Sequence, residues 1–223
     1  MGALVYFRHD VWRYLRAAVS SIRTRRIATT DERLAWALVL GTIPGVIAGV
    51  TLEGVIQDEL GQPGLIAVML AVFGVVLYAV DRLASSTRHL EDLAVRHGLY
   101  LGIAQALALQ PGVSRSGVTI TAARAMGFDR ETAARFSFLL SLPIIAGAAL
   151  YKGADLAATG IPPGMTGPFV AGIAASAASG FLVIAFLLKY LRRHDFALFM
   201  WYRIGVAALV LGIAAGGVPS ATL

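Results

Sequence analysis

Gln110-Pro111-Gly112-Val113-Ser114-Arg115-Ser116-Gly117 interrupts residues 98–123, a segment that is otherwise apolar except for Arg115 and a few small polar side chains. A helix facing lipid does not tolerate this run. Proline donates no N–H, glycine favours unusual dihedrals, and each backbone group at membrane depth needs a partner. Irregular backbone survives there only when it is buried in protein or lines a wet cavity. The fold therefore turns on whether residues 98–123 cross the bilayer or enter it and return.

The rest of the chain establishes that there is a bilayer to enter. Of the 223 residues, 57% are hydrophobic before the 24 glycines are counted, and only 14% are charged. Soluble domains carry about 25% charge, so an ordinary soluble enzyme and a disordered chain are both excluded. The absence of cysteine excludes a disulfide scaffold. A helical span takes about 20 apolar residues. Residues 34–52, 64–80, 136–151, 169–188 and 196–217 read as five such spans, the last broken only by Arg203. The expected class is an all-α polytopic membrane protein in a single integral membrane domain. Residues 1–7 are too short to cross and are read as the tail of a span whose start is missing.

Charge chooses between the two paths for residues 98–123. Loop 8–33 carries seven arginines, and loops 81–97, 122–135 and 189–196 carry three Lys or Arg each. Loop 53–63 has none and loop 152–168 has only Lys152. Basic loops stay on the cytoplasmic side. Only a re-entrant hairpin leaves all four basic loops on that side, and it places the C-terminus outside. The net charge of +6 is then explained by topology and gives no reason to expect nucleic acid.

A hairpin of this kind presents a second half-helix, from near Ser114–Ser116 to about Ala125, whose free N–H groups point into the membrane. Arg115, Ser116 and Thr119 sit on its first turn. A helix N-terminus, a guanidinium and hydroxyls suit an anion, phosphate above all. A mid-bilayer arginine costs about 2.5–3.5 kcal/mol on insertion scales, which a bound anion or a carboxylate would offset. Arg203, beside Trp201 and Tyr202, has two readings: a second cation for the ligand, or a snorkelling side chain in an aromatic belt. Gln105 and Gln110 either line the cavity or satisfy broken-helix carbonyls. Stripes of small residues (Gly41/Gly45/Gly49, Ser176/Gly180, Gly212/Gly216) suit close packing within the monomer, with a homodimer face left open.

Pro111-Gly112-Val113-Ser114-Arg115-Ser116-Gly117-Val118-Thr119 resembles the second signature motif of the undecaprenyl-diphosphatase, or bacitracin-resistance, family. Gly102–Leu109 upstream and Ala134–Pro143 downstream are similar to the family's flanks, as are Gly41-Thr42-Ile43-Pro44 and Tyr202-Arg203. The resemblance implies an inverted-repeat helical bundle in the bacterial plasma membrane. It implies hydrolysis of undecaprenyl diphosphate to the monophosphate and phosphate, recycling the cell-wall carrier lipid, with bacitracin resistance as the linked trait. On that basis Arg115 and Ser114 are the catalytic candidates. Ser116, Gly117, Thr119, Gly112 and Arg203 are the candidates for binding the polyprenyl diphosphate.

The family's first motif supplies glutamates and a Ser-Ser-Thr-Gly-His stretch, and no such stretch stands in this chain. The expectation is an N-terminally truncated member that lacks the nucleophile. A divalent cation, Mg²⁺ or Ca²⁺, is implied by the family, but the sequence shows no recognisable ligand set for it. His9, His89, His97 and His194 read as solvated residues of loops or loop edges, and Glu53, Asp58 and Glu59 as a solvated external turn. Two rivals remain: a transporter with a re-entrant anion site, and an inactive lipid-diphosphate-binding remnant. A phosphatidic-acid-type phosphatase is excluded, because the positions where it needs His and Asp hold Thr121 and Ala125.

Overall fold

The computed structural model describes residues 2–58, 61–162 and 164–216, and these form a helical bundle. In chain order the helices are α1 (Gly2–Tyr6), α2 (Arg8–Thr24), α3 (Thr30–Asp58), α4 (Pro63–Leu83), α5 (Val95–Ala106), α6 (Arg115–Ala125), α7 (Arg130–Thr159), α8 (Thr166–Leu191) and α9 (Ala197–Ala215). Among the described residues the sole β feature is an isolated bridge between Arg88 and Phe128. Five helices, α3, α4, α7, α8 and α9, are long and apolar enough to cross a membrane. Large apolar side chains such as Val50, Leu150, Phe186 and Leu209 stand exposed on them, as expected where the surrounding solvent is lipid.

The long helices outrun the apolar stretches that locate them, because polar residues start them. Glu32 accepts the N–H groups of Ala28 and Thr29 at 2.8 and 2.9 Å, and the Thr29 hydroxyl accepts from the Glu32 N–H at 3.2 Å. This reciprocal box starts α3. Asp129 does the same for α7, accepting the Thr132 N–H at 2.8 Å. At the far end α3 continues to Asp58, so Glu53 and Asp58 belong to a helix rather than a turn. Glu59 and Gly217 lie outside the described residues.

Residues 98–123 form two helices, with a 3₁₀ turn at Leu107–Leu109 and an irregular tip between them. The first, α5, runs parallel to α3. Cβ atoms built on Gly98 and Gly102 would collide with the backbone of Ala37 and Gly41 in turn, and Gln105 lies beside Gly45. The tip then packs on α4: Gly112, at φ +93°, has no room for a Cβ against the Ile66 carbonyl. From there α6 returns along α4, and at its end Arg124 reaches Asp81. Both ends of the hairpin therefore lie at one end of the bundle. That end also gathers α2 and the starts of α3, α7 and α9.

Ion pairs tie this end together. Asp81, whose side chain is fully buried, accepts from Arg124 Nε at 2.7 Å and from Arg130 Nη2 at 2.8 Å. Arg124, also buried, donates as well to Ser86 Oγ at 2.9 Å and to the Phe128 and Asp81 carbonyls. Arg135 meets Asp10 in a half-buried pair at 2.7 Å, and at the surface Arg192 meets Glu131 at 2.7 Å and His89 Nδ1 donates to Asp129 at 2.8 Å. His97 departs from its expected solvated state. It is buried, its Nδ1 accepts the Ala94 N–H at 3.0 Å, and its ring meets Phe128 edge-on.

Removing one member of a buried ion pair strands the other. Asp81→Ala is expected to cost about 3–5 kcal/mol, read as an early melt in detergent, whereas Glu131→Ala at the surface should cost under about 1 kcal/mol. His89 adds a pH test, because its hydrogen bond to Asp129 holds its pKa above the usual 6.5. The contact stabilises fully below that value and fades as pH rises through the raised pKa. A pH series of melts on wild type and His89→Ala should therefore converge at alkaline pH.

Candidate anion site

The first turn of α6 is built around an unusual cap. Ser114 adopts φ +71°, a left-handed conformation that costs a non-glycine residue energy and persists only where its surroundings enforce it. In that pose its Oγ accepts the Gly117 N–H at 3.3 Å, and its carbonyl accepts from Val118 at 3.0 Å. The preceding N–H groups of a helix start have no intrahelical partner, and they carry the positive end of the helix dipole.

Arg203 of α9 packs against this turn. A Cβ on Gly117 would lie 2.8 and 2.9 Å from its Nη2 and Nη1 and 3.2 Å from Ser114 Oγ. On the other side Gly74 of α4 admits the stem: a Cβ there would meet Arg203 Cβ and Cδ at 3.2 Å. Arg203 Nη1 is buried with no hydrogen-bond partner among the described residues. Its neighbours Trp201 and Tyr202 are 65% and 69% exposed, so the aromatic pair points outward while the arginine points inward. The snorkelling reading of Arg203 gives way to an interior one.

Arg115 sits differently from the expected buried guanidinium. Its side chain is exposed on the bundle and makes no ion pair or hydrogen bond among the described residues. The space inside the turn is taken by Gly117 and Arg203, so the first residue of α6 projects away. Ser116 is half-buried on the same turn. Thr119, one turn further along, is buried: it is 1% exposed, its hydroxyl pairs with Ser137 of α7, and it donates to the Arg115 carbonyl at 2.9 Å. The structure thus brings Ser114, Gly117 and Arg203 together, with Arg115 and Ser116 on the same turn. Gly112 shapes the tip, and Thr119 braces α6 against α7.

Two glutamines flank this region. Gln110 donates to the Pro111 carbonyl at 3.1 Å, within the tip. Gln105 is 4% exposed, and neither of its amide atoms has a partner among the described residues. Buried unpaired polar groups cost about 1–3 kcal/mol each, more when charged. The arrangement at α6 therefore favours an anion with several oxygen acceptors. Among the described residues no three His, Asp or Glu side chains converge. Gly74 and the Asp81–Arg124 pair escaped the sequence reading, because a mid-span glycine and charges at a span's edge carry no periodic signal.

Known proteins are similar to this chain in sequence over most of its length. Residues 1–209 match the family model described as bacitracin resistance protein BacA. A protein of Pelotomaculum thermopropionicum named undecaprenyl-diphosphatase is 44% identical over 216 residues, covering 96% of this chain and 80% of its own. One of the same name from Geobacter sulfurreducens is 45% identical, covering 93% of this chain and 77% of its own. A third, from Moorella thermoacetica, is 42% identical over 96% of this chain and 78% of its own.

Gly117→Ala tests the geometry, since the added methyl must displace either the Arg203 guanidinium or the Ser114 cap. Affinity for inorganic diphosphate, read by calorimetric titration in detergent, should fall about 10- to 100-fold. Gly147→Ala, where a Cβ meets nothing within 4 Å, should leave that affinity unchanged.

Proposed function

This chain belongs to the bacitracin resistance protein BacA family, and we propose that it acts in the membrane as an undecaprenyl-diphosphate phosphatase. The observation that carries the reading is the Arg203 guanidinium held against the N-terminus of α6 with a buried, unpartnered donor. Relatives named undecaprenyl-diphosphatase over nearly the whole chain supply the substrate class. The protein is a multi-pass membrane protein, with five helices able to cross. In this reading the basic end faces the cytoplasm and the C-terminus lies outside.

The residues divide the work by what they can donate. Arg203 offers its fork from inside the bundle, and the N–H groups of the first α6 turn offer fixed dipoles beside it. Arg115, exposed on that turn, offers a second fork to the other side of a diphosphate. Ser114 holds the turn open and offers a hydroxyl. Together they stabilise the charge that develops on the phosphoryl oxygens and the leaving monophosphate, and preorganised donors do this without reorganisation cost. The phosphate-accepting nucleophile of the family's other motif is not among these side chains. In this reading the site described here holds the diphosphate rather than attacks it. Thr119 orients α6 through Ser137.

Arg115→Ala is expected to abolish release of phosphate from undecaprenyl diphosphate while leaving membrane insertion intact. Arg115→Lys should be nearly as damaging, because lysine lacks the bidentate fork. Arg203→Ala should weaken lipid-diphosphate binding by at least tenfold. Phosphate release and lipid binding measured side by side on the purified variants check all three. Near-wild-type turnover in Arg115→Ala would remove that residue from the site.

A further inference from the structure

Outside the anion site, α2 presents a second unassigned surface. One face, with Val11, Tyr14, Ala18 and Ser21, packs on the bundle: Tyr14 is 5% exposed, and Ser21 Oγ accepts the Trp36 indole N–H at 2.8 Å. Trp12, Leu15, Val19 and Ile22, at i, i+3, i+7 and i+10, form an adjacent stripe, each residue half-exposed or more. Arg16 and Arg23 lie along the far edge of this stripe. Together with Trp12, Leu15 and Val19 they line a shallow groove of about 430 Å³. Arg16 sits 4.8 Å above the Trp12 ring, so cation and aromatic share one level.

Charge at this surface is one-sided. The nearby acids are already engaged, Asp10 by Arg135 and Asp31 by Arg13. Arg16, Arg23, Arg25 and Arg26 have no acidic partner among the described residues. A helix held on its inner face by the bundle, apolar on the next, and cationic beyond has the layout of a helix lying in a membrane interface. The spans continue from the same end, where α3 begins and α7 is pinned to Asp10. This places the stripe at the rim of the leaflet.

We propose that the α2 groove binds anionic phospholipid headgroups of the adjoining leaflet, with Arg16 and Arg23 on the phosphate and the Trp12–Ile22 stripe on the upper acyl chain. A basic residue near an anionic surface is worth about fivefold in binding, so the pair supplies about thirtyfold. The site is independent of the diphosphate site, which lies on α6 and α9.

Native mass spectrometry of the full chain, released from detergent with equimolar phosphatidylglycerol and phosphatidylcholine of equal acyl length, reads this directly. Wild type should retain phosphatidylglycerol about thirtyfold over phosphatidylcholine. R16Q/R23Q should bring the ratio near one, and R16K/R23K should keep most of it. R115A should not change it. Equal retention of the two lipids by wild type would overturn the proposal and leave the stripe to a protein partner. An unchanged preference in R16Q/R23Q would also overturn it, as would a preference lost in R115A, which would move the lipid to α6. If R16Q/R23Q is not recovered from the membrane, the single variants R16Q and R23Q decide: each should lower the ratio about fivefold, and an unchanged ratio in both would overturn the proposal.

Discussion

The hairpin's return depends on one carboxylate. Asp81 ends α4 with no exposed side-chain surface and holds Arg124 at the end of α6 and Arg130 at the start of α7. Burying charge is costly unless partners and hydrogen bonds offset it. Here Arg124 spends its donors on Asp81, on Ser86 and on the Phe128, Ser85 and Asp81 carbonyls. An arginine satisfied in this way has one low-energy place to be. It fixes the register of α6 against α4, and with it the depth at which Ser114–Gly117 stand. If the lock moved by one residue, the α6 turn would rotate away from Arg203.

The same helix carries arginines in opposite states, and the contrast separates structure from function. Arg124 is buried and saturated. Arg115 is exposed and unpaired, and Arg203, brought to the same turn from α9, is half-buried with its Nη1 buried and unmet among the described residues. Folding tends to eliminate unmet buried donors, because each one costs stability. Here the unmet donor stands beside the free N-terminus of α6 and a strained Ser114 cap, the arrangement on which the proposed anion site rests.

Much of this was legible in the sequence, for identifiable reasons. The spans follow from apolar length. The break between α5 and α6 follows from Pro111-Gly112, which leaves no continuous helix available. Family membership was carried by the motif around Arg115. The small-residue stripes were partly informative. Gly41 and Gly45 do meet α5, and Gly180 lies near Gly2, while a Cβ on Gly49 or Gly212 would meet nothing within 4 Å among the described residues. Two things were not legible. Which way a side chain points on a half-helix depends on what fills the inside of the turn. No spacing rule reveals that Arg203, 88 positions after Arg115, takes that place. The burial of Asp81, Arg124 and His97 depends on contacts between distant segments and leaves no local pattern.

The distribution of partners among the arginines of α2 extends this logic to the membrane surface. Arg13 is engaged by Asp31 and Tyr14, while Arg16 and Arg23 reach no acid among the described residues. Loop arginines that served only to set topology would need no arrangement, since the positive-inside rule counts charges without regard to where they point. These two instead border one apolar stripe on a helix whose other face is fixed by Tyr14 and the Ser21–Trp36 hydrogen bond. Clamping the helix on one side leaves its orientation no freedom to average the stripe away. The unpaired cations are thereby held beside exposed apolar surface, a combination that water satisfies poorly and an anionic lipid satisfies at both ends.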